Sequence, residues 1–109
     1  MVIDVAEDQF SALILKQSQP LILQFWAEWC GNSRKMIPIY AAVAEQLQER
    51  VLAYRLNIDH NPTVPRQYGI RGVPVFMIMH QGRILDTHTG VMEEGEFAAW
   101  IQRHLPAAG

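Results

Sequence analysis

Leu21-Ile22-Leu23-Gln24-Phe25-Trp26-Ala27-Glu28-Trp29-Cys30-Gly31-Asn32-Ser33 is the stretch on which the fold turns. Its first six residues are mostly β-formers, apolar on both alternations except at Gln24, which is the pattern of a strand covered on both faces and central in its sheet. After a polar turn, Met36, Tyr40, Val43 and Leu47 recur at the spacing of one stripe on a long helix. Pro38 lies inside that stripe; it has no N–H and crowds the Arg34 carbonyl, so the helix is expected to bend there. Cys30 thus stands where a buried strand hands over to the first turn of a helix. Free N–H groups and the positive end of the helix dipole favour a thiolate over a thiol at such a place. Arg34 and Lys35 add positive charge a turn away, and Gly31 leaves room for a substrate to reach the sulfur. A lone cysteine is ordinarily a buried, inert side chain, but the polar turn and the helix start argue for a reactive one.

Working outward, Val2-Ile3 reads as a short strand, and Phe10, Leu13 and Ile14 give a first amphipathic helix that Ser18-Gln19-Pro20 stops. Val51 to Leu56 reads as a strand. Asn61 as N-cap, Pro62 as first helical residue and Gly69 as terminator frame a short helix. Val75 to Met79 and Arg83 to Thr89 make an antiparallel pair around a two-residue Gln81-Gly82 turn. Phe97, Trp100, Ile101 and Leu105 form the apolar face of a last helix, with Glu93, Glu94 and Glu96 at its start and Arg103 and His104 at its end, as the dipole prefers. The order of elements is that of an α/β chain: a mixed sheet of about five strands with helices on both faces.

The 109 residues, half of them hydrophobic, suit one domain spanning the whole chain, residues 1–109. A formal net charge of -2 lacks the basic excess that nucleic acid or anionic lipid rewards. No apolar run approaches the roughly 20 residues needed to span a bilayer, and Met1 to Asp8 carries acids instead of a basic leader, so a cytoplasmic location is expected. The single cysteine excludes a disulfide scaffold, a Cys-x-x-Cys pair and a multi-thiolate zinc site. The four histidines show no pairing with acids or cysteine that would suggest a metal site, so none is expected.

Phe25-Trp26-Ala27-Glu28-Trp29-Cys30-Gly31 resembles the active-site segment of the thioredoxin family, whose usual motif is Trp-Cys-Gly-Pro-Cys. Pro38 matches the family's kink proline. Leu56-Asn57-Ile58-Asp59 with Asn61-Pro62 is similar to its third strand and loop, and Tyr68-Gly69-Ile70-Arg71-Gly72-Val73-Pro74 resembles the segment that holds its cis-proline. Gly82 and Gly90 match family glycines. The resemblance covers nearly the whole chain in order and implies the thioredoxin fold, with no bound cofactor. It further implies that Pro74 is cis beside Cys30, that the backbone of Val73 pairs with an extended substrate segment, and that Trp29, Gly31, Asn32, Gly72, Gly90 and Val91 line the rest of the groove.

Three departures from the family pattern bear on function. Ser33 stands where the resolving cysteine would be, so the first thiolate can attack a disulfide but nothing internal can finish the exchange. Its hydroxyl can still donate toward Cys30, or it can be a polar helix residue. Gln24 replaces the buried aspartate that handles the resolving thiol's proton, and an amide cannot be a general base. Arg55 occupies the place of a lysine near that acid. Asn32 replaces the motif proline and offers an amide that could cap the turn.

The resulting expectation is a monothiol thiol–disulfide oxidoreductase or isomerase, with Cys30 and Ser33 as its catalytic pair. It would act on a disulfide-containing or glutathionylated protein in extended conformation, with glutathione or another external thiol as co-substrate. A monomer is expected, with a Cys30-linked dimer as the lesser outcome. Two other readings stand beside it: a non-catalytic binding module using the same groove, and a Cys-to-Ser substitution introduced to trap a mixed disulfide. The accompanying changes at Gln24 and Asn32 favour a natural monothiol over the trap.

Overall fold

The computed structural model describes residues 1–107. Five strands, β1 (Val2–Asp4), β2 (Leu21–Trp26), β3 (Leu52–Asn57), β4 (Val75–His80) and β5 (Arg83–Thr89), lie in the order β1-β3-β2-β4-β5. β2 is parallel to β3 and antiparallel to β4, so the mixed sheet has at its centre the strand whose every residue is buried. This is why the run Leu21–Trp26 is apolar on both alternations. Ile22 faces a layer formed by helices α1 (Gly31–Gln46) and α3 (Glu94–His104), whereas Leu21, Leu23 and Phe25 face Phe10, Ile14 and the short helix α2 (Thr63–Gln67).

Each layer has its own packing solution. On the α1/α3 side Tyr40, Phe76 and Phe97 meet ring to ring, with centroids 4.7–5.8 Å apart. The Tyr40 hydroxyl lies 2.7 Å from the carbonyl of Tyr54 and 3.1 Å from that of Ile22, so this buried polar atom is satisfied by the backbones of two adjacent strands. α1 runs through Pro38 without interruption, and all four stripe residues, Met36, Tyr40, Val43 and Leu47, are buried.

Several local expectations are corrected. The first helix is a 3₁₀ turn at Glu7–Gln9 followed by a π turn at Ser11–Leu15, closed by Lys16 N–H donating to the Ser11 carbonyl at 2.9 Å. Phe10 and Ile14 are still buried, because over so few residues a spacing of four fits a π turn as well as an α-helix. α2 begins at Thr63, with Pro62 as its N-cap and Asn61 outside it. The carboxylate of Glu7, 56 residues away, accepts from the N–H groups of Thr63 and Val64, and Asn61 Oδ1 accepts from Glu7 N–H at 3.0 Å. A long-range carboxylate has taken the capping role that a local asparagine was expected to fill. β3 is shifted one residue on from the expected span.

The β4–β5 turn has φ of 54° at Gln81 and 78° at Gly82, the left-handed pair that two-residue hairpins use. A Cβ on Gly82 would also lie 3.1 Å from the Leu15 carbonyl oxygen, so the turn needs glycine for space as well as conformation.

Candidate active site

The path from Trp26 to Gly31 is set by strand and helix ends. Cys30 N–H donates to the Ala27 carbonyl at 3.2 Å, closing a tight turn, and Cys30 is the N-cap of α1 with its own carbonyl accepting from Arg34 N–H at 3.1 Å. The expected capping amide of Asn32 is not used: Asn32 is exposed within the first helical turn, and no side chain caps the start of α1. The reason is position, since the N-cap position from which a local side chain caps these N–H groups is held by Cys30.

Cys30 is half-buried. Its Sγ lies 3.4 Å from the carbonyl oxygen of Val73, to which the thiol donates, although 43 residues separate them. The Val73–Pro74 peptide bond is cis. Pro74 is buried, its carbonyl accepts from Gly90 N–H at 2.9 Å, and Gly90 has φ of 103°. Gly72 and Val91 are exposed beside this loop, and Val73 is half-buried. The β2–α1 turn, the loop before β4 and the loop after β5 therefore meet at one end of the sheet, where a chain segment can reach the sulfur. Trp29 stands over this end with 66% of its surface exposed, its indole N–H donating to Asp59 Oδ2 at 2.8 Å.

The Cys30 thiol is held below the ordinary thiol range. The main cause is a hydrogen bond from the backbone N–H of Ser33, helped by the Ser33 hydroxyl, the N–H of Asn32 and the charge of Arg34, and opposed by desolvation. Ser33 itself is fully buried, and its Oγ accepts from Ala27 N–H at 3.3 Å. Because that lone pair is occupied from one side, the hydroxyl hydrogen is free to point to the sulfur. An acid with a lowered pKa is ionised from a lower pH upward. The rate of Cys30 alkylation by iodoacetamide should therefore rise through a midpoint below about 8.5. Ser33→Ala should move the midpoint only part of the way back, since the backbone N–H remains. A wild-type midpoint at or above about 8.5 would mark an unactivated thiol.

Gln24 is 2% exposed on β2, opposite Arg55 of β3 and Phe76 of β4. It lines a cavity of about 480 Å³ with Tyr40, Ile37 and Ala41 of α1, and its amide nitrogen has no hydrogen-bond partner among the described residues. Arg55 donates through Nε to Asp4 at 2.6 Å, and its guanidinium lies 4.5 Å above the Trp26 ring. Among the described residues no group of three His, Cys, Asp or Glu side chains could hold a metal ion, and no helix is long and apolar enough to cross a membrane.

Two features of the site were missed in the sequence. Asp59 fixes Trp29; it sits in a loop 30 residues away, and nothing in the local pattern marks it as the indole's partner. Arg34, seen only as a nearby charge, donates to the Glu28 carbonyl at 2.6 Å and so lies across the turn that carries Cys30.

Residues 1–103 match the family model described as thioredoxin. A thioredoxin of Rickettsia prowazekii (strain Madrid E) is 35% identical over 105 residues, which are 96% of this chain and 100% of the relative. Thioredoxin 1 of Synechococcus elongatus (strain ATCC 33912 / PCC 7942 / FACHB-805) is 36% identical over 101 residues, 93% of this chain and 94% of the relative.

Proposed function

The chain belongs to the thioredoxin family, and from that premise we propose that it is a monothiol thiol–disulfide oxidoreductase that works through a mixed disulfide between Cys30 and its substrate. The observation that carries the reading is a thiol of lowered pKa, accessible at a helix start and 3.4 Å from the Val73 carbonyl, in a chain whose motif position for a second thiol is a buried serine. A substrate segment lies extended along Val73, bonded through its backbone, with its sulfur brought to Cys30. Trp29, Gly31, Asn32, Gly72, Pro74, Gly90 and Val91 bound the groove.

The Cys30 thiolate attacks one sulfur of the substrate disulfide. A bond forms to Cys30 Sγ, the old S–S bond breaks, and the leaving thiolate takes up a proton from water. With a glutathionylated protein, the attacked sulfur is that of glutathione and the protein leaves reduced. A free glutathione of a reducing thiol pool then attacks the mixed disulfide and regenerates Cys30, so that one free glutathione is consumed for each protein thiol released and leaves joined to the substrate's glutathione as their disulfide. Ser33 serves as a hydrogen-bond donor to the thiolate. Gln24, with Arg55 opposite it, is the neutral remnant of a proton-transfer position that a monothiol does not use, and a carboxylate there would bear a desolvation cost without a role.

The test is turnover of a glutathionylated peptide with glutathione as reductant. Ping-pong kinetics are expected, with only the uncatalysed rate in Cys30→Ser, while insulin reduction driven by thioredoxin reductase stays near background. Turnover unaffected by Cys30→Ser, or robust reductase-driven insulin reduction, would overturn the monothiol reading. A peptide that binds equally to wild type and Cys30→Ala without turnover would identify a binding module instead.

A further inference from the structure

We infer that Arg34 is a specificity-determining residue of this site and receives a carboxylate that the substrate carries close to its disulfide. The inference rests on the exchange chemistry proposed above and on how the guanidinium is held. Arg34 Nη1 donates to the Glu28 carbonyl at 2.6 Å, and Nη2 lies 3.8 Å from where a side chain on Gly31 would begin. The head group is thereby draped over the turn on either side of Cys30, instead of swinging free in solvent as an exposed arginine on a helix usually does.

No salt bridge among the described residues engages its guanidinium; those present join Arg55 to Asp4 and His104 to Asp86. A guanidinium has five N–H donors in a fork suited to a carboxylate, and the Glu28 carbonyl occupies one nitrogen only. Because the loop carbonyl already fixes the side chain, little rotamer entropy is left to lose when an anion binds. Asp59, which accepts from the Trp29 indole N–H, is a negative charge that repels a substrate anion from the Trp29 side. Arg34 attracts and Asp59 repels, so a substrate carboxylate is drawn to the start of α1. The class that fits is a disulfide of a peptide or small thiol whose carboxylate is a few bonds from the sulfur. Lys35, the next residue and also exposed, lies about 100° around the helix from Arg34 and, among the described residues, makes no salt bridge, so it serves as the control.

The experiment measures second-order rates for mixed-disulfide formation on Cys30 with three symmetrical disulfides: dithiodipropionate, hydroxyethyl disulfide and cystamine, which are anionic, neutral and cationic. The readout is the anionic-to-neutral rate ratio, divided by the same ratio for free mercaptoethanol. The thiolate fraction of Cys30 cancels in this quotient, so an altered Cys30 pKa in a variant does not enter. A preference for the anion of about fivefold is expected at low salt, as one partly exposed charge pair supplies. It should fall to near unity in Arg34→Gln or in about 1 M salt, and change less than about twofold in Lys35→Gln. A ratio that Arg34→Gln leaves unchanged, or that Lys35→Gln lowers as much, overturns the carboxylate site while leaving the exchange reaction standing. Failure of Cys30 to react with the neutral disulfide as well would overturn both.

Discussion

Ser33→Cys is expected to speed the resolution of a Cys30-linked mixed disulfide on the order of a thousandfold over a millimolar external thiol, because the attacking group becomes intramolecular. Position 33 is three residues on in the same helical turn and fully buried, and its backbone N–H and hydroxyl both favour the Cys30 thiolate. A sulfur placed there can approach Sγ without rearrangement of β2 or α1. Stoichiometric oxidant should then yield a chain with no alkylatable thiol, where the wild type yields only intermolecular adducts. Rapid-quench trapping of the mixed disulfide, with masses read on the intact protein, gives the rate. Two free thiols surviving oxidation would mean that the side chain at 33 is turned from Cys30, and the hydroxyl's contribution to the thiolate would fall with it.

Phe76→Ala is expected to remove about 3–5 kcal/mol of stability, a large part of the roughly 5–15 kcal/mol that a folded domain has. Phe76 is fully buried on β4, edge-on to Tyr40 at 5.4 Å and against Phe97 at 4.7 Å, so it links the sheet to both α1 and α3. Both helices are packed into the same buried cluster, with Tyr40 and Phe97 also meeting at 5.8 Å, so the cavity left by the ring cannot close by a small side-chain shift. The urea midpoint should fall steeply with the slope unchanged. A loss below about 1 kcal/mol would show that the aromatic cluster collapses freely around the void. Since Phe76 pairs with Gln24 across the sheet, the variant also tests whether the altered position beneath the active site depends on that packing.

Much of the framework was legible because its signals are local. The apolar run Leu21–Trp26 and the stripe Met36, Tyr40, Val43 and Leu47 each reflect how one element is buried, and the structure buries all of them. The Gln81-Gly82 turn was legible for the same reason: its left-handed φ values are a property of two residues. The first helix and the cap of α2 were misread because their hydrogen bonds are decided elsewhere. A segment as short as 10–14 does not define its own pitch, and the N–H groups of α2 were given to Glu7 by the return of the chain past β1.

The sequence by itself determined that this chain holds one cysteine at the junction of a buried strand and a helix, with a serine and not a thiol three residues on. It therefore also determined that no disulfide can form within the chain. Only the tertiary structure decided that Val73 comes within 3.4 Å of that sulfur, that Asp59 holds Trp29, and that Arg34 lies tethered across the turn. The physical reason is that periodicity records which face of an element is buried. Which distant loops share the end of a sheet follows from strand order and crossover paths, which no window of neighbouring residues contains.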